Sequence, residues 1–383
     1  MVLILIIALG VGGYIVLQQP APQIDQDIPG ADVDWWSMFH HDLSHTGYST
    51  SMGPATNQTL WRFQTGNSIE YCTPVVVDGV VYVGSQDRMF YALNAATGAE
   101  IWRFAANYSI KSSASVAKGV VYFGSNDNNV YALDADDGSI IWSFQTGNTV
   151  YSSPIVVNGV VYVGSNDHYL YALNAATGAE IWSFETSNAI WSSPAFVNDV
   201  VFVTSYDYVY ALNSETGSKV WNFKPFDSMY SSPVVVNNVV YFGSNDGNVY
   251  ALNAASGSKI WNYSTGGYVE SSPAVASNVV YVGSDDGKVY ALDSLSGSKL
   301  WVYATGGKVD SSPAVANNVV YVGSCDSMVY ALNASTGEKI WSYTTGSDVE
   351  SFPSIANGVL YIGSNDGYVY ALGSILITQS PAP

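Results

Sequence analysis

Cysteine is nearly absent from this 383-residue chain, which has only Cys72 and Cys325. Neither stands at metal-ligand or redox spacing, and there is no adjacent Cys-Cys pair and no CxxCH. Zinc ribbons, dithiol motifs and c-type haem attachment are therefore excluded. The two cysteines fall at different points of the repeat described below, and a disulfide needs Cα atoms within about 7 Å. Both are read as free thiols. Bases are scarce too, with 12 Lys and Arg against 31 Asp and Glu, a formal net charge of −19. A surface this acidic repels phosphate backbones and anionic headgroups, so no nucleic-acid partner is expected.

Long uncharged apolar stretches are missing after the first eighteen residues. Met1 to Gln18 (MVLILIIALGVGGYIVLQ) carries no charged side chain, and as a helix it would be about 27 Å long, near the thickness of a bilayer core. We expect an N-terminal hydrophobic helix that anchors the chain in a membrane. A cleaved signal segment is the alternative, with Ala8-Leu9-Gly10 as a weak cleavage site and no basic n-region. No Lys or Arg flanks the segment to orient it. Residues 19–34, rich in Pro, Gln and Asp, read as an extended linker. Residues 35–55 form a lead-in segment, 56–373 the repeat domain and 374–383 a tail.

What the chain does have is a period. Tryptophan recurs at 61, 102, 142, 182, 221, 261, 301 and 341, and Tyr-Ala-Leu begins at 91, 131, 171, 210, 250, 290, 330 and 370. A fixed period near 40 residues marks one structural unit used eight times. The unit from Ser152 to Phe184 splits at Asn158-Gly159, Asn166-Asp167 and Thr177-Gly178 into four short apolar runs. These are strands joined by tight turns. The runs are nearly continuously apolar, so both sheet faces are buried, as in blades stacked around an axis. The fold class is all-β: an eight-bladed β-propeller of four-stranded antiparallel blades. The strand around Trp61 precedes any complete unit, and the last unit stops after Leu372. We expect that N-terminal strand to complete the last blade and close the ring.

The segment Ala92 to Trp102 (ALNAATGAEIW) resembles the tryptophan-docking motif of the pyrroloquinoline-quinone (PQQ)-like propellers. Seven copies begin at Ala92, 132, 172, 211, 251, 291 and 331. Trp35 to Ser49 is similar to the lead-in of the same proteins. The resemblance implies the propeller fold, but the family's functions diverge: quinoprotein alcohol and glucose dehydrogenases, the BamB lipoprotein of outer-membrane assembly, and surface proteins of no assigned activity. The dehydrogenases carry a Cys-Cys pair over the quinone and a Glu/Asn/Asp calcium site on enlarged blades. This chain has neither, and its minimal units resemble the BamB-like branch. No catalytic residue and no cofactor are expected, PQQ and Ca2+ lacking a motif. The BamB lipid anchor, on an N-terminal Cys, has no counterpart here.

In a repeat protein, departures from the repeat are the places to look for a site. The residue three before the Pro of each unit's first strand (Ala114 in the second unit) reads Tyr71, Lys111, Tyr151, Trp191, Tyr230, Glu270, Asp310 and Glu350. One side of the axial mouth is thus aromatic and the other acidic. Tyr206, Tyr208, Phe226, His168 and Tyr169 lie in irregular or neighbouring turns. With Tyr151, Trp191 and Tyr230 they form a candidate platform for sugar rings or a peptide, or are ordinary surface aromatics. Glu270, Asp310 and Glu350 are a candidate Ca2+ arc, or solvated carboxylates. His40, His41, Asp42 and His45 suit a transition metal, or packing. The Asp after the second strand of every unit reads as a turn residue.

The functional expectation is a non-enzymatic, membrane-anchored propeller outside the cytoplasm, displaying a protein- or glycan-binding surface. A secreted form, a PQQ-dependent dehydrogenase and a structural surface spacer are the alternatives. Sequons at Asn57, Asn107, Asn262 and Asn333 suit an exported, glycosylated chain.

Overall fold

The computed structural model describes residues 34–374. The expected membrane helix, most of the linker and residues 375–383 lie outside the described residues. Among the described residues, no helix is long and apolar enough to cross a membrane.

Eight antiparallel sheets make the fold, and every one contains four strands in simple up-and-down order. In the third blade these are Ile155–Val157, Val160–Gly164, Tyr169–Asn174 and Glu180–Glu185. The two middle strands are buried on both faces, which accounts for their unbroken apolar sequence. The outer strand alternates, turning one face to solvent. A bulge opposite Ala172 and Leu173 lets two outer-strand residues share one partner position. The equivalent shift recurs in the other blades.

The ring closes as expected. Gln58–Gln64 pairs antiparallel with Tyr368–Gly373, Trp61 facing Ala371 and Arg62 facing Tyr370. The N-terminal strand thus supplies the outer strand of the eighth blade.

The docking motif explains what joins neighbouring blades. Trp61 Nε1–H donates to the Ala95 carbonyl in the next blade at 2.8 Å, and Trp102, Trp142, Trp182, Trp221, Trp261 and Trp301 repeat the bond. The ring lies flat against the glycine of the partner's turn. A Cβ on Gly98, which sits at φ +71°, would come within 2.6 Å of Trp61, so glycine is required there twice over. Seven motif copies give seven bonds. The sequence has no eighth motif copy for Trp341, whose buried indole N–H finds no partner among the described residues.

The recurring turn Asp is structural. Asp87 accepts the Met89 N–H at 2.8 Å, the Gly66 N–H at 2.6 Å and the Tyr91 hydroxyl at 2.6 Å. Both oxygens are thereby used to tie the turn to the incoming loop. The fourth blade departs from this: Asp207 takes Ser187 and Ser205, and Tyr210 turns to Ser187.

The lead-in segment runs across the innermost strands. Carbonyls of Trp36, Ser37, Leu43, Ser44, Thr46 and Gly47 accept the N–H of Val76, Val116, Phe196, Val235, Val275 and Val315, at 2.7–2.9 Å. Tyr48–Ser49 then adds a parallel fifth strand beside Ala314–Ala316. Inner strands have no neighbour on their axial side, and this segment satisfies their free N–H groups. The histidines pack as part of it. His40 and His45 are buried against Phe39, and His41 pairs with Asp34 at 3.0 Å. Among the described residues they form no metal-ligating group of three or more.

Candidate functional site

Each blade sends one loop residue to the axis just before its inner strand. Below it, consecutive Ser residues form a belt from blade to blade. The Thr73 N–H donates to Ser113 Oγ, Ser113 N–H to Ser153, Ser153 to Ser193, Ser193 to Ser232, Ser232 to Ser272 and Ser272 to Ser312. At blade eight Phe352 replaces the Ser, and its ring meets Phe39 of the lead-in segment edge-on at 5.5 Å. Both phenyl rings line the cavity above them, which holds about 300 Å³. Because the lead-in segment crosses beneath, the axial mouth is a blind funnel rather than a channel.

Blade one carries one extra residue. The Ile69 N–H bonds Ser364 O as Ile110 N–H bonds Ser85 O. Likewise Gly84 N–H meets Cys72 Sγ as Gly124 N–H meets Ser112 Oγ. Ile69 and Cys72 are three positions apart, Ile110 and Ser112 only two, so Glu70 and Tyr71 together fill the place of Lys111. Tyr71 is held at φ +56°, a strained conformation for a bulky side chain, and it lines the cavity beside Lys111. The mouth therefore carries Tyr71, Tyr151, Trp191 and Tyr230 on one side and Glu270, Asp310 and Glu350 on the other, with Lys111 and Glu70 beside Tyr71.

The aromatic wall is a packed unit. Tyr151 stacks on Trp191 with ring centroids 4.5 Å apart, and Tyr230 meets the other side edge-on at 5.0 Å. Trp191 is nevertheless 38% exposed, and it lines the cavity. Lys111 bridges to Glu70 at 2.9 Å and lies over the rings of Tyr71 and Tyr151.

The remaining aromatic candidates are not brought into the funnel. Tyr206 touches Tyr230 edge-on at 5.9 Å and, with Phe226, lines a separate outer groove with Asp207, Lys224, Pro225, Asp227 and Ser228. Phe226 is 93% exposed. Tyr208 leans on Tyr210 and lies beneath the Lys224 ammonium. His168 is exposed at a left-handed turn position, and Tyr169 pairs across the sheet with Glu185. The expected platform of eight is thus a trio at the axis plus outlying rim residues. Irregular turns attract aromatics for local reasons, and sequence spacing does not distinguish an inward turn from an outward one.

The acidic wall is crowded. Burial, with Asp285 and Glu270 beside it, pushes the Asp310 carboxyl up to about 8. Glu270 and Glu350 are also raised, chiefly by burial. Asp285 and Cys325 were not among the expected site residues. Both hold the position before the turn Asp, where the other blades carry Gln86, Asn126, Asn166, Tyr206, Asn245 and Asn365. Comparing that position across repeats would have found them. Glu270 is set apart from the close group that Asp310 and Glu350 form with Cys325.

Residues 43–251 match the family described as "Beta-alanine-activating enzyme, beta-propeller". Residues 304–374 match "Outer membrane protein assembly factor BamB". No curated protein matches the chain. Among solved structures, BamB from Moraxella catarrhalis is similar at 18% identity and a TM-score of 0.73, covering 83% of this chain and 100% of its own. The quinohemoprotein alcohol dehydrogenase from Comamonas testosteroni is similar at 17% identity and 0.77, covering 91% and 82%. The computationally designed Ika8 protein is similar at 16% and 0.75, covering 83% and 100%. At such identities each likeness is one of fold. The first sequence match spans more than half of the chain, which therefore belongs to the PQQ-like β-propellers, in the family of the beta-alanine-activating enzyme propeller.

Proposed function

We propose that this is a non-enzymatic binding propeller whose axial funnel captures a cationic side chain presented by a partner protein. The observation that carries the reading is the pairing of walls in one blind cavity: Tyr151, Trp191 and Tyr230 on one side, Glu270 and Asp310 on the other. An ammonium or guanidinium gains from aromatic faces and from carboxylates together. A neutral glycan would use the aromatic wall alone. That BamB is named as an outer-membrane assembly factor is in keeping with a protein partner. The uncharged Met1–Gln18 segment and the exposed sequon residues Asn107 and Asn262 support a place outside the cytoplasm on a membrane anchor.

The wall does not suit the family's quinone. PQQ is a tricarboxylate, and of the residues lining the cavity only Lys111 is basic, already paired with Glu70. The protein mixed with PQQ and Ca2+ should give no dye-linked oxidation of alcohols or sugars above a no-protein control. Turnover would place it with the dehydrogenases instead.

Titration calorimetry with short Lys- or Arg-bearing peptides, their acetyl-lysine counterparts and neutral oligosaccharides tests the binding reading. Cationic peptides should bind, more weakly as salt rises, and acetylated ones should not. Trp191→Ala should lower the affinity about tenfold, ~1.4 kcal/mol, with the melting temperature kept. Salt-insensitive binding of oligosaccharides that depends on Trp191 would sink it in favour of a glycan receptor.

A further inference from the structure

We propose that Asp310, Cys325 and Glu350 form a seat for a thiolate-binding divalent cation of the zinc class. This goes beyond the capture of a cationic side chain, shares only Asp310 with it, and does not use the aromatic wall. The three side chains each offer a donor atom, and these atoms all lie within 4.8 Å of one another. No other such group of His, Cys, Asp and Glu occurs among the described residues.

One pair in the group already has the spacing of a coordination shell. Zinc binds thiolate at about 2.3 Å and carboxylate oxygen at about 2.0–2.2 Å, so a tetrahedral pair sets sulfur and oxygen about 3.6 Å apart. Cys325 Sγ stands 3.7 Å from Asp310 Oδ2. A second, independent observation is the state of the buried oxygens. Asp310 is only 9% exposed, yet its Oδ1 has no partner. Beside it the Asp285 side chain is 10% exposed, with Oδ1 also unpartnered. Lys308 answers only the other oxygen, Oδ2, of Asp285 at 2.5 Å. Two buried carboxyls side by side are costly unless one proton is shared between them, as Asp310 and Asp285 do here, and a divalent cation on Asp310 stands in for that proton.

The chemistry selects the metal class. A thiol among the ligands favours Zn2+ and similar soft ions over Ca2+ and Mg2+, so the all-carboxylate calcium arc expected from the sequence gives way to a mixed site. Burial, Asp310 and Glu350 all hold the Cys325 thiol up. A bound cation neutralises those carboxylates and takes the thiol as thiolate, releasing its proton. Three protein ligands leave one position of a tetrahedron open.

The test uses Zn2+ by calorimetry and Co2+ by absorption on the full chain. Native protein should bind one Zn2+ and show a thiolate-to-cobalt charge-transfer band. Cys325→Ser should abolish the band and weaken Zn2+ at least about tenfold, and Asp310→Asn should weaken Zn2+ similarly. Cys72→Ser should change neither, because Cys72 is fully buried and its sulfur faces Gly84 and Ser112. Trp191→Ala should also bind Zn2+ normally, which separates this proposal from the peptide reading. Should either site variant fail to fold, Zn2+ must still raise the melting temperature of native protein and not of Glu350→Gln. Absence of the band in native protein, its survival in Cys325→Ser, or equal Zn2+ stabilisation of Glu350→Gln overturns the proposal.

Discussion

A chain shortened to begin at Thr65 is expected to lose cooperative melting and to self-associate, whereas one beginning at Thr56 still melts as a closed ring at lower temperature. The first removes Gln58–Gln64, and with it the ladder to Tyr368–Gly373. It also removes Trp61, whose indole docks on Ala95 and fills the interface between the eighth and first blades. Loss of one such buried tryptophan costs about 3–5 kcal/mol, and here the strand goes with it. What remains exposed is Tyr368–Gly373, an apolar strand with an open edge, which is a template for pairing with another chain. The second truncation keeps closure but removes the carbonyls that satisfy six inner strands, together with buried Trp36 and Phe39. Two large side chains of that kind correspond to a fall of about 10 °C or more. Circular dichroism melts with light scattering read both outcomes. A monomeric Thr65 chain with native-like melting would show that the ring is held without its closing strand.

The parts of this architecture visible in the sequence are those that every unit repeats. Eight tryptophans, seven Thr-Gly-type turns and an orphan strand around Trp61 suffice to count the blades and close them, because each packs against the next by one local geometry. The funnel was legible only in outline. Trp191 between Tyr151 and Tyr230 followed from their places beside the axis. The extra residue of blade one shows in the sequence only as the longer Trp61–Trp102 spacing, and the backbone bonds of Ile69 and Gly84 place it at Glu70-Tyr71. The nearness of Cys325 to Asp310 was hidden for another reason. They sit fifteen residues apart, on different loops of one blade, and which loops meet at the axis depends on how the blades tilt. Likewise the spacing carries no sign that the hydroxyl of the second SSP serine accepts from the preceding blade and links the two.

Stability should fall as pH drops below about 6.5, through the two histidines buried in the lead-in segment. His40 donates Nδ1–H to the His45 carbonyl and His45 donates Nδ1–H to the Pro233 carbonyl. Each is then a neutral ring whose Nε2 is buried without a partner. Protonating Nε2 would bury a charge and a donor with nothing to accept it. Burial accordingly pulls His40 down to about 4 and His45 to about 3, and the nearby Asp42 does not restore either. The unfolded chain takes up these protons near pH 6.5 and the native one does not, so stability is complete above 6.5 and lost as pH falls toward 3. His41 has the opposite sign: beside Asp34 and Asp42 it is raised to about 9, so its contribution is present below 6.5 and fades toward 9. It leaves the acid window untouched. Asp310, raised to about 8, gains its proton earlier in the native state than in the unfolded one, which partly offsets the loss. A difference measurement removes that offset. In denaturant titrations at pH 7 and pH 4, His45→Gln should lose ~3 kcal/mol less than the native chain between the two. Its amide can still donate to Pro233, and whatever packing the substitution loses is common to both pH values. Parallel pH profiles for the two proteins would mean that His45 is not held neutral by its burial.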